Sequence, residues 1–232
     1  MFNHVPVEIG KLVQVNAKGG RYYETPSGAK YPSVTSVTRL HNLESIQAWK
    51  DKVGEEEAGK ISRRALARGN KIHSLAEKYL LNEGDLSDDF SRADFGQMIP
   101  YLDKIDNIRC LETQLYSDHL QTAGTVDCIG EYDGKLSVID FKTSAKLKKR
   151  EWVKDYFMQC SAYAVMFEER TGIEINQIVI LVVTEDGLVQ EFVKEKHEYL
   201  PHLVETIDMF TEQWMKENEE LDEGPDVIGA PV

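Results

Sequence analysis

Three cysteines in 232 residues, Cys110, Cys128 and Cys160, are too few and too scattered for several architectures. They form no CxxC pair and are odd in number, which argues against a disulfide framework and a zinc knuckle, and an iron-sulfur cluster held by four cysteines is excluded by count. Buried free thiols are the expected state. Long apolar runs are missing as well. No stretch approaches the roughly 18 residues of a membrane span, and Met1-Phe2-Asn3-His4 has no signal-peptide pattern, so a soluble, intracellular, cytoplasmic chain without a membrane partner is expected. Positive charge is scarce: 27 Lys and Arg stand against 40 Asp and Glu, a net −13 that as a mean argues against nucleic acid. There is no internal repeat and no low-complexity tract.

The charge is segregated, however, and the mean misleads. Lys216 to Val232 carries Glu217, Glu219, Glu220, Asp222, Glu223 and Asp226 against one lysine, and reads as a solvated, mobile tail open to a protein partner. Between Lys142 and Lys154, six basic residues face a single Glu151. A second basic cluster, Arg63, Arg64, Arg68 and Lys71, precedes His73.

Periodicity places elements around these runs. An irregular β region is expected from Val13 to Tyr23, then a helix after Tyr31-Pro32-Ser33 with a hydroxyl cap, continuing to Trp49. A long helix runs from about Glu55 to Leu81, with Ile72, Leu75, Ala76, Tyr79 and Leu80 as its apolar stripe and His73 at the stripe's edge. A helix over Phe95 to Asn107, a strand over Cys110 to Tyr116 and a hairpin centred on Asp133-Gly134 follow. The remainder is a helix from Trp152 to Arg170 ended near Gly172, strands at Gln177–Thr184 and Leu188–Val193, and a helix over Glu195 to Lys216. The order gives an α/β fold, a mixed central sheet flanked by helices with a helical N-terminal elaboration. The expected division is one domain over 1–215, mainly helical elaboration at 31–107 and core at 108–215, with the acidic tail at 216–232.

The hairpin carries the chemistry. A two-residue Asp133-Gly134 loop pairs Tyr132 with Lys135 and sets Asp127 across from Asp140 on one face, with Lys142 one step further and Ile139 and Phe141 on the other face. Two carboxylates about 5 Å apart repel unless something compensates, and a divalent cation is the natural compensation. Asp127 and Asp140 are then metal ligands, with the Phe141 carbonyl and His73 completing the protein side, and Lys142 orients a water or stabilises transition-state charge. An edge histidine alone is more often structural; beside the two acids it becomes a candidate ligand. Glu112, on the preceding strand, is a lesser candidate that can equally face solvent.

Past the basic run, Trp152, Tyr156, Gln159 and Tyr163 form one helical stripe, while Phe157, Cys160, Ala164 and Phe167 form a core stripe. The first stripe can be a packing face, or Gln159 and Tyr163 can meet phosphates while Trp152 stacks on a base. Thr143, Lys146, Lys148 and Lys149 start at the metal site and suit phosphate tracking.

Together, His73-x-x-x-Glu77, Gly124-Thr125-Val126-Asp127, Asp140-Phe141-Lys142 and Gln159-x-x-x-Tyr163 resemble the PD-(D/E)XK nuclease superfamily, in the motif order of its RecB-type exonuclease branch. Pro32-Ser33-Val34-Thr35 and Arg68-Gly69-x-x-x-His73 further resemble the mitochondrial genome maintenance exonucleases and their bacteriophage relatives. The resemblance covers roughly residues 31 to 165. It implies a restriction-endonuclease-like core, Mg²⁺ or Mn²⁺ on His73, Asp127 and Asp140, a catalytic Lys142, and Gln159 and Tyr163 along the substrate path. Ser33, Thr35 and Arg68 become possible DNA contacts. The expected function is a metal-dependent DNA exonuclease acting on single-stranded or end-bearing DNA in replication, recombination or repair, in a bacterium or a phage-infected cell. A structure-specific endonuclease and a catalytically silent DNA-binding module are the alternatives.

Overall fold

The computed structural model of the protein describes residues 1–17, 20–84, 86 and 94–222. Two sheets organise it. β1 (Val13–Ala17), β2 (Gly20–Glu24) and β3 (Lys30–Pro32) form a small antiparallel sheet, so the irregular β region is regular and gains a third strand after the Pro26-Ser27-Gly28 turn. Three helices follow: α1 (Val34–Thr38), α2 (Leu43–Val53) and the 26-residue α3 (Glu55–Leu80). The hydroxyl before α1 does not cap it, because the Ser33 hydroxyl is paired with that of Thr35 at 2.6 Å.

The larger sheet contains β4 (Ile105–Ser117), β5 (Thr122–Tyr132), β6 (Lys135–Ser144), β7 (Gln177–Thr184) and β8 (Val189–Glu195) in sequential order. Only β6 and β7 run parallel, because α5 (Lys154–Thr171) makes the crossover between them. One face of the sheet packs on α5 and on α6 (Leu200–Asp222) through Val138, Ile178, Ile180, Phe157, Phe167 and Leu203. The other packs on α3 and α4 (Phe95–Leu102) through Ile72, Leu75, Phe95, Ile139, Phe141 and Leu181. The stripe on α3 is therefore core, while Ile61 and Leu66 in the first half of the helix stay exposed.

Helix α4 stops at Leu102, short of the expected Asn107, and Ile105 already belongs to β4. Asn107 takes a left-handed φ of 46° and the β4–β5 pairing shifts register between Asp106 and Cys110, so a bulge stands where helical continuation was expected. Trp152 likewise lies in a short 3-10 turn over Arg150–Val153 rather than in α5 itself. The expected acidic tail begins inside α6, which runs to Asp222; residues 223–232 lie outside the described residues.

Candidate active site

The Asp133-Gly134 turn has φ of 50° and 76°, the two left-handed residues of a tight hairpin, and it fixes the expected register: Tyr132 pairs with Lys135 and Cys128 with Ile139. The β5–β6 ladder ends there, one pair short of Asp127 and Asp140. On the other side of β5, Leu111 pairs with Cys128 and Thr113 with Val126, and Glu112 between them has a left-handed φ of 43°. Asp127 thus sits where both of its neighbouring ladders open. Its Oδ2 accepts the Phe141 backbone N–H at 2.8 Å, the bond that a strand carbonyl would otherwise supply.

That opening leaves room for a cluster of charge. Asp140 is buried at 1% exposure, and Lys142 donates to its Oδ1 at 2.6 Å. Asp140 Oδ2 lies 2.5 Å from the same ammonium nitrogen, so both oxygens of this buried carboxylate are held by Lys142. His73 projects from α3 with Nδ1 3.6 Å from both Glu112 Oε1 and Asp127 Oδ1. One ligand atom from each of His73, Glu112 and Asp127 lies within 4.8 Å of the other two. The Phe141 ring stands edge-on to the His73 ring, centroids 6.2 Å apart, and fixes its orientation.

The electrostatics follow from burial. Desolvation pushes the Asp140 carboxyl up to about 6, opposed by Lys142 and reinforced by Asp127. Asp127 is also raised, chiefly by burial, against the pull of Lys142, His73 and the Phe141 N–H. Burial alone would lower His73, but Glu112, Asp127 and Asp140 outweigh it and push the imidazole up to about 9. Lys142 is likewise drawn down by burial and held above its ordinary value by Asp140 and Asp127. Two cationic side chains, Lys142 and His73, therefore face three carboxylates. Hard oxygen donors with one imidazole suit a small divalent cation, and the close approach of the His73, Glu112 and Asp127 ligand atoms supports that fit.

Helix α5 closes the site from one side. From Trp152 in the 3-10 turn before it, 58% exposed, the stripe grades through the half-buried Tyr156 to the buried Gln159 and Tyr163. Lys142 Nζ lies 5.3 Å from the Tyr156 ring centroid and Lys149 Nζ 5.4 Å from that of Trp152, both within cation–π range. Gln159 donates to the Tyr163 hydroxyl at 3.1 Å. Gly124 is required here, since a Cβ on it would stand 2.8 Å from the Tyr163 ring and 2.9 Å from its hydroxyl oxygen. Ser33 bridges to Ala123 beside Gly124, which brings Thr35 to the same rim.

Two clefts meet at Lys142. The larger, about 1100 Å³, is walled by α2 and the start of α5 and lined by Thr35, Lys148, Trp152, Tyr156 and Gln159 together with Trp49. The smaller, about 610 Å³, lies along α3 and is lined by His73, Glu77, Glu112, Phe141 and Thr143. Lys146 and Lys149 are exposed on the loop between β6 and α5, and the backbone of Lys148 is pinned to β8 by the Gln190 side chain, which accepts at 2.6 Å and donates at 3.0 Å. Arg68 is not brought into this set. Its guanidinium donates to the Ser144 and Val183 carbonyls, each at 3.1 Å, and pairs with Asp94, which ties α3 to the ends of β6 and β7.

Two residues gain importance from the structure. Glu112, a lesser candidate on sequence alone, stands opposite Asp127 in the register that puts Ser117 opposite Thr122. Trp49 faces Trp152's cleft from α2, and nothing in its spacing marked it.

A family model, the PD-(D/E)XK nuclease superfamily, matches residues 40–225. The chain is also similar to proteins named mitochondrial genome maintenance exonuclease 1. It is 27% identical to the one from Xenopus tropicalis over 172 residues, 67% of this chain and 49% of that protein. For Mus musculus the figures are 26% over 218 residues, 86% and 62%, and for Homo sapiens 25% over 173 residues, 67% and 50%. The chain thus spans about half to three-fifths of the length of these relatives. A solved structure of a putative exonuclease from Eubacterium rectale aligns with a TM-score of 0.43 at 14% identity, over 72% of this chain and 76% of that one. No helix among the described residues is long and apolar enough to cross a membrane.

Proposed function

From the PD-(D/E)XK nuclease superfamily, to which this chain belongs, we propose the further step that it is a Mg²⁺- or Mn²⁺-dependent DNA exonuclease hydrolysing phosphodiester bonds from single-stranded ends. The observation that carries this reading is the convergence of ligand atoms from His73, Glu112 and Asp127, within 4.8 Å of one another, beside the buried Asp140–Lys142 pair. A silent scaffold has no reason to gather three carboxylates around two cationic side chains at this depth. The exonuclease mode comes from the names of the similar proteins, which also support a role in DNA maintenance.

Asp127, Asp140, His73 and Glu112 would hold the cation, with the Phe141 carbonyl as a further donor. When bound, the cation supplies Lewis-acid polarisation of the phosphate and lowers the pKa of water. The protein's own groups do the rest. Lys142, its Nζ fixed by Asp140, donates to a phosphate oxygen and stabilises the charge that grows there in the transition state. Asp127 keeps the β6 backbone in place through the Phe141 N–H, so the acid and the lysine on β6 stay in register with it. Gln159 lines the larger cleft and is held there by the hydroxyl of Tyr163, whose buried ring is seated over Gly124. Trp152 and Trp49 offer faces on which unpaired bases stack irrespective of sequence, and Lys148 and its neighbours track the backbone.

Digestion of end-labelled linear and circular DNA, single- and double-stranded, with Mg²⁺, Mn²⁺ or EDTA tests the proposal. Linear single strands should be shortened only with the cation, circles should resist, and Asp140→Asn and Lys142→Ala should abolish cutting while the fold persists. Undiminished cutting by either variant refutes the site, and cleavage of circles replaces the exonuclease with an endonuclease on the same centre.

A further inference from the structure

The two clefts that meet at Lys142 differ in size and in charge, and a strand that crossed the site from one to the other would, once cut there, leave one part in each. The larger cleft carries Arg39, Lys50, Lys148 and Lys154 against Glu151 and Asp155, with aromatic faces at Trp49, Trp152 and Tyr156. In the smaller one, Lys142 and His73 are the basic residues among the described lining, Glu77 and Glu112 oppose them, and the other polar groups are Asn70, Ser74 and Thr143. The phosphodiester backbone is retained where cations and stacking faces accumulate and is poorly held where carboxylates line the wall.

We infer that the α3-side cleft is a leaving-fragment subsite that admits one or two nucleotides and expels them, and that Glu77 is the residue that limits retention. This rests on the nuclease reading and adds to it which side keeps the polymer. Cavities of roughly 300–1,000 Å³ hold one drug-sized ligand, and a nucleoside monophosphate is of that size. The smaller cleft, about 610 Å³, therefore has room for a mono- or dinucleotide. Glu77 lies one helical turn beyond His73 on α3 and lines this cleft without being among the clustered ligand atoms of His73, Glu112 and Asp127. Its charge faces whatever phosphate follows the cut one.

The test combines product sizing with equilibrium binding, so that the two readings fail separately. End-labelled (dT)20 cut by the unaltered chain with Mg²⁺ should yield mono- and dinucleotides first. In Ca²⁺ buffer, 5′-phosphorylated (dT)2 should bind about tenfold tighter to Glu77→Lys and about threefold tighter to Glu77→Gln. Two and one unit charges at roughly 6 Å through water exert effects of that size. Products of Glu77→Lys should also lengthen. Lys148→Ala should weaken (dT)12 and leave (dT)2 unchanged. The subsite assignment is overturned by unchanged (dT)2 affinity in both Glu77 variants, or by equal losses of both probes in Lys148→Ala. Absence of any cutting by the unaltered chain would overturn the nuclease reading instead.

Discussion

At the turn end of the β5–β6 hairpin, Lys104 lies 2.7 Å from Glu191 and within 5.3 Å of the Tyr132 ring centroid, and the Tyr132 hydroxyl donates to the same carboxylate. Lys104 also lies 3.6 Å from Asp133, and the strands stay paired up to the turn. At the opposite end of the same two strands, Lys142 is paired with the buried Asp140, His73 stands between Asp127 and Glu112, and the ladders open. Both ends hold a lysine beside a carboxylate. The difference is burial and pairing: the turn end is closed, its strands paired and its charges within reach of water, and the group there is structural. A surplus of carboxylate buried with the backbone parted around it is the arrangement that a cation from solution would stabilise.

The comparison breaks most visibly at Asp127. Asparagine there keeps an oxygen for the Phe141 N–H and removes the charge, so Asp127→Asn should lower the Mg²⁺-dependent rate at least about a thousandfold, the scale of losing a transition-state electrostatic group, while the melting temperature stays within about 2 °C. A parallel loss of both would make the open end structural too. Cation addition sharpens the same contrast: at about 100 times its dissociation constant, Mg²⁺ or Mn²⁺ should stabilise the unaltered chain by about 2.7 kcal/mol and Asp140→Asn hardly at all, read by thermal melts with and without EDTA. Glu112→Gln should follow with a 10- to 100-fold rise in the cation concentration needed for half-maximal cleavage, since a charged donor is lost and others remain. An unchanged titration would return Glu112 to the role of a solvated carboxylate.

Glu112 also shows where sequence reading runs out. The turn residues Asp133 and Gly134 dictated the β5–β6 register, and the alternation of β6 placed Asp140 and Lys142 on the α5 face and Ile139 and Phe141 in the opposite core, because both follow from local geometry. The stripe of α3 placed His73 at the core's edge for the same reason. What local rules do not contain is a backbone that departs from them. The left-handed φ of Glu112 interrupts β4 opposite Asp127, and a glutamate, unlike glycine or asparagine, advertises no such conformation. Arg68 stands beside basic neighbours in sequence, yet its guanidinium is taken by two carbonyls from strands more than 70 residues away, a pairing only the tertiary fold creates. The glycine of Gly124-Thr125-Val126-Asp127 was legible as a motif, and its reason, the Tyr163 ring across it, was not.

That glycine gives the next prediction. In Gly124→Ala the new methyl meets the Tyr163 ring at 2.8 Å, so the ring and its bond from Gln159 must shift. Overpacking of this kind costs about 1–3 kcal/mol, and chemical denaturation should register it together with a slower cleavage rate. Stability lost with cleavage intact would show that Tyr163 packs the open end without lining the substrate path.

The smallest effect belongs to the closed end. Glu191→Gln removes the partner of Lys104 and Tyr132, and the ion pair stands near the rim of the sheet with 33% side-chain exposure at Lys104 and 28% at Glu191. Such pairs are worth roughly 0–1 kcal/mol, so stability should drop by no more than that, and cleavage and cation binding should not change. Burial works to raise the Glu191 carboxyl, but Lys104 and Tyr132 outweigh it and hold it below its ordinary value. A carboxyl depressed by folding stabilises fully above its unfolded pKa, near 4.5, and loses that contribution as pH falls through the folded value. The stability gap between Glu191→Gln and the unaltered chain should therefore be constant at neutral pH and close below about pH 4.5, as followed by melts across that range. A gap that instead tracked the cleavage rate at pH 7 would mean that charge at the turn reaches the metal centre along β5 and β6, and that the two ends of the hairpin are not independent.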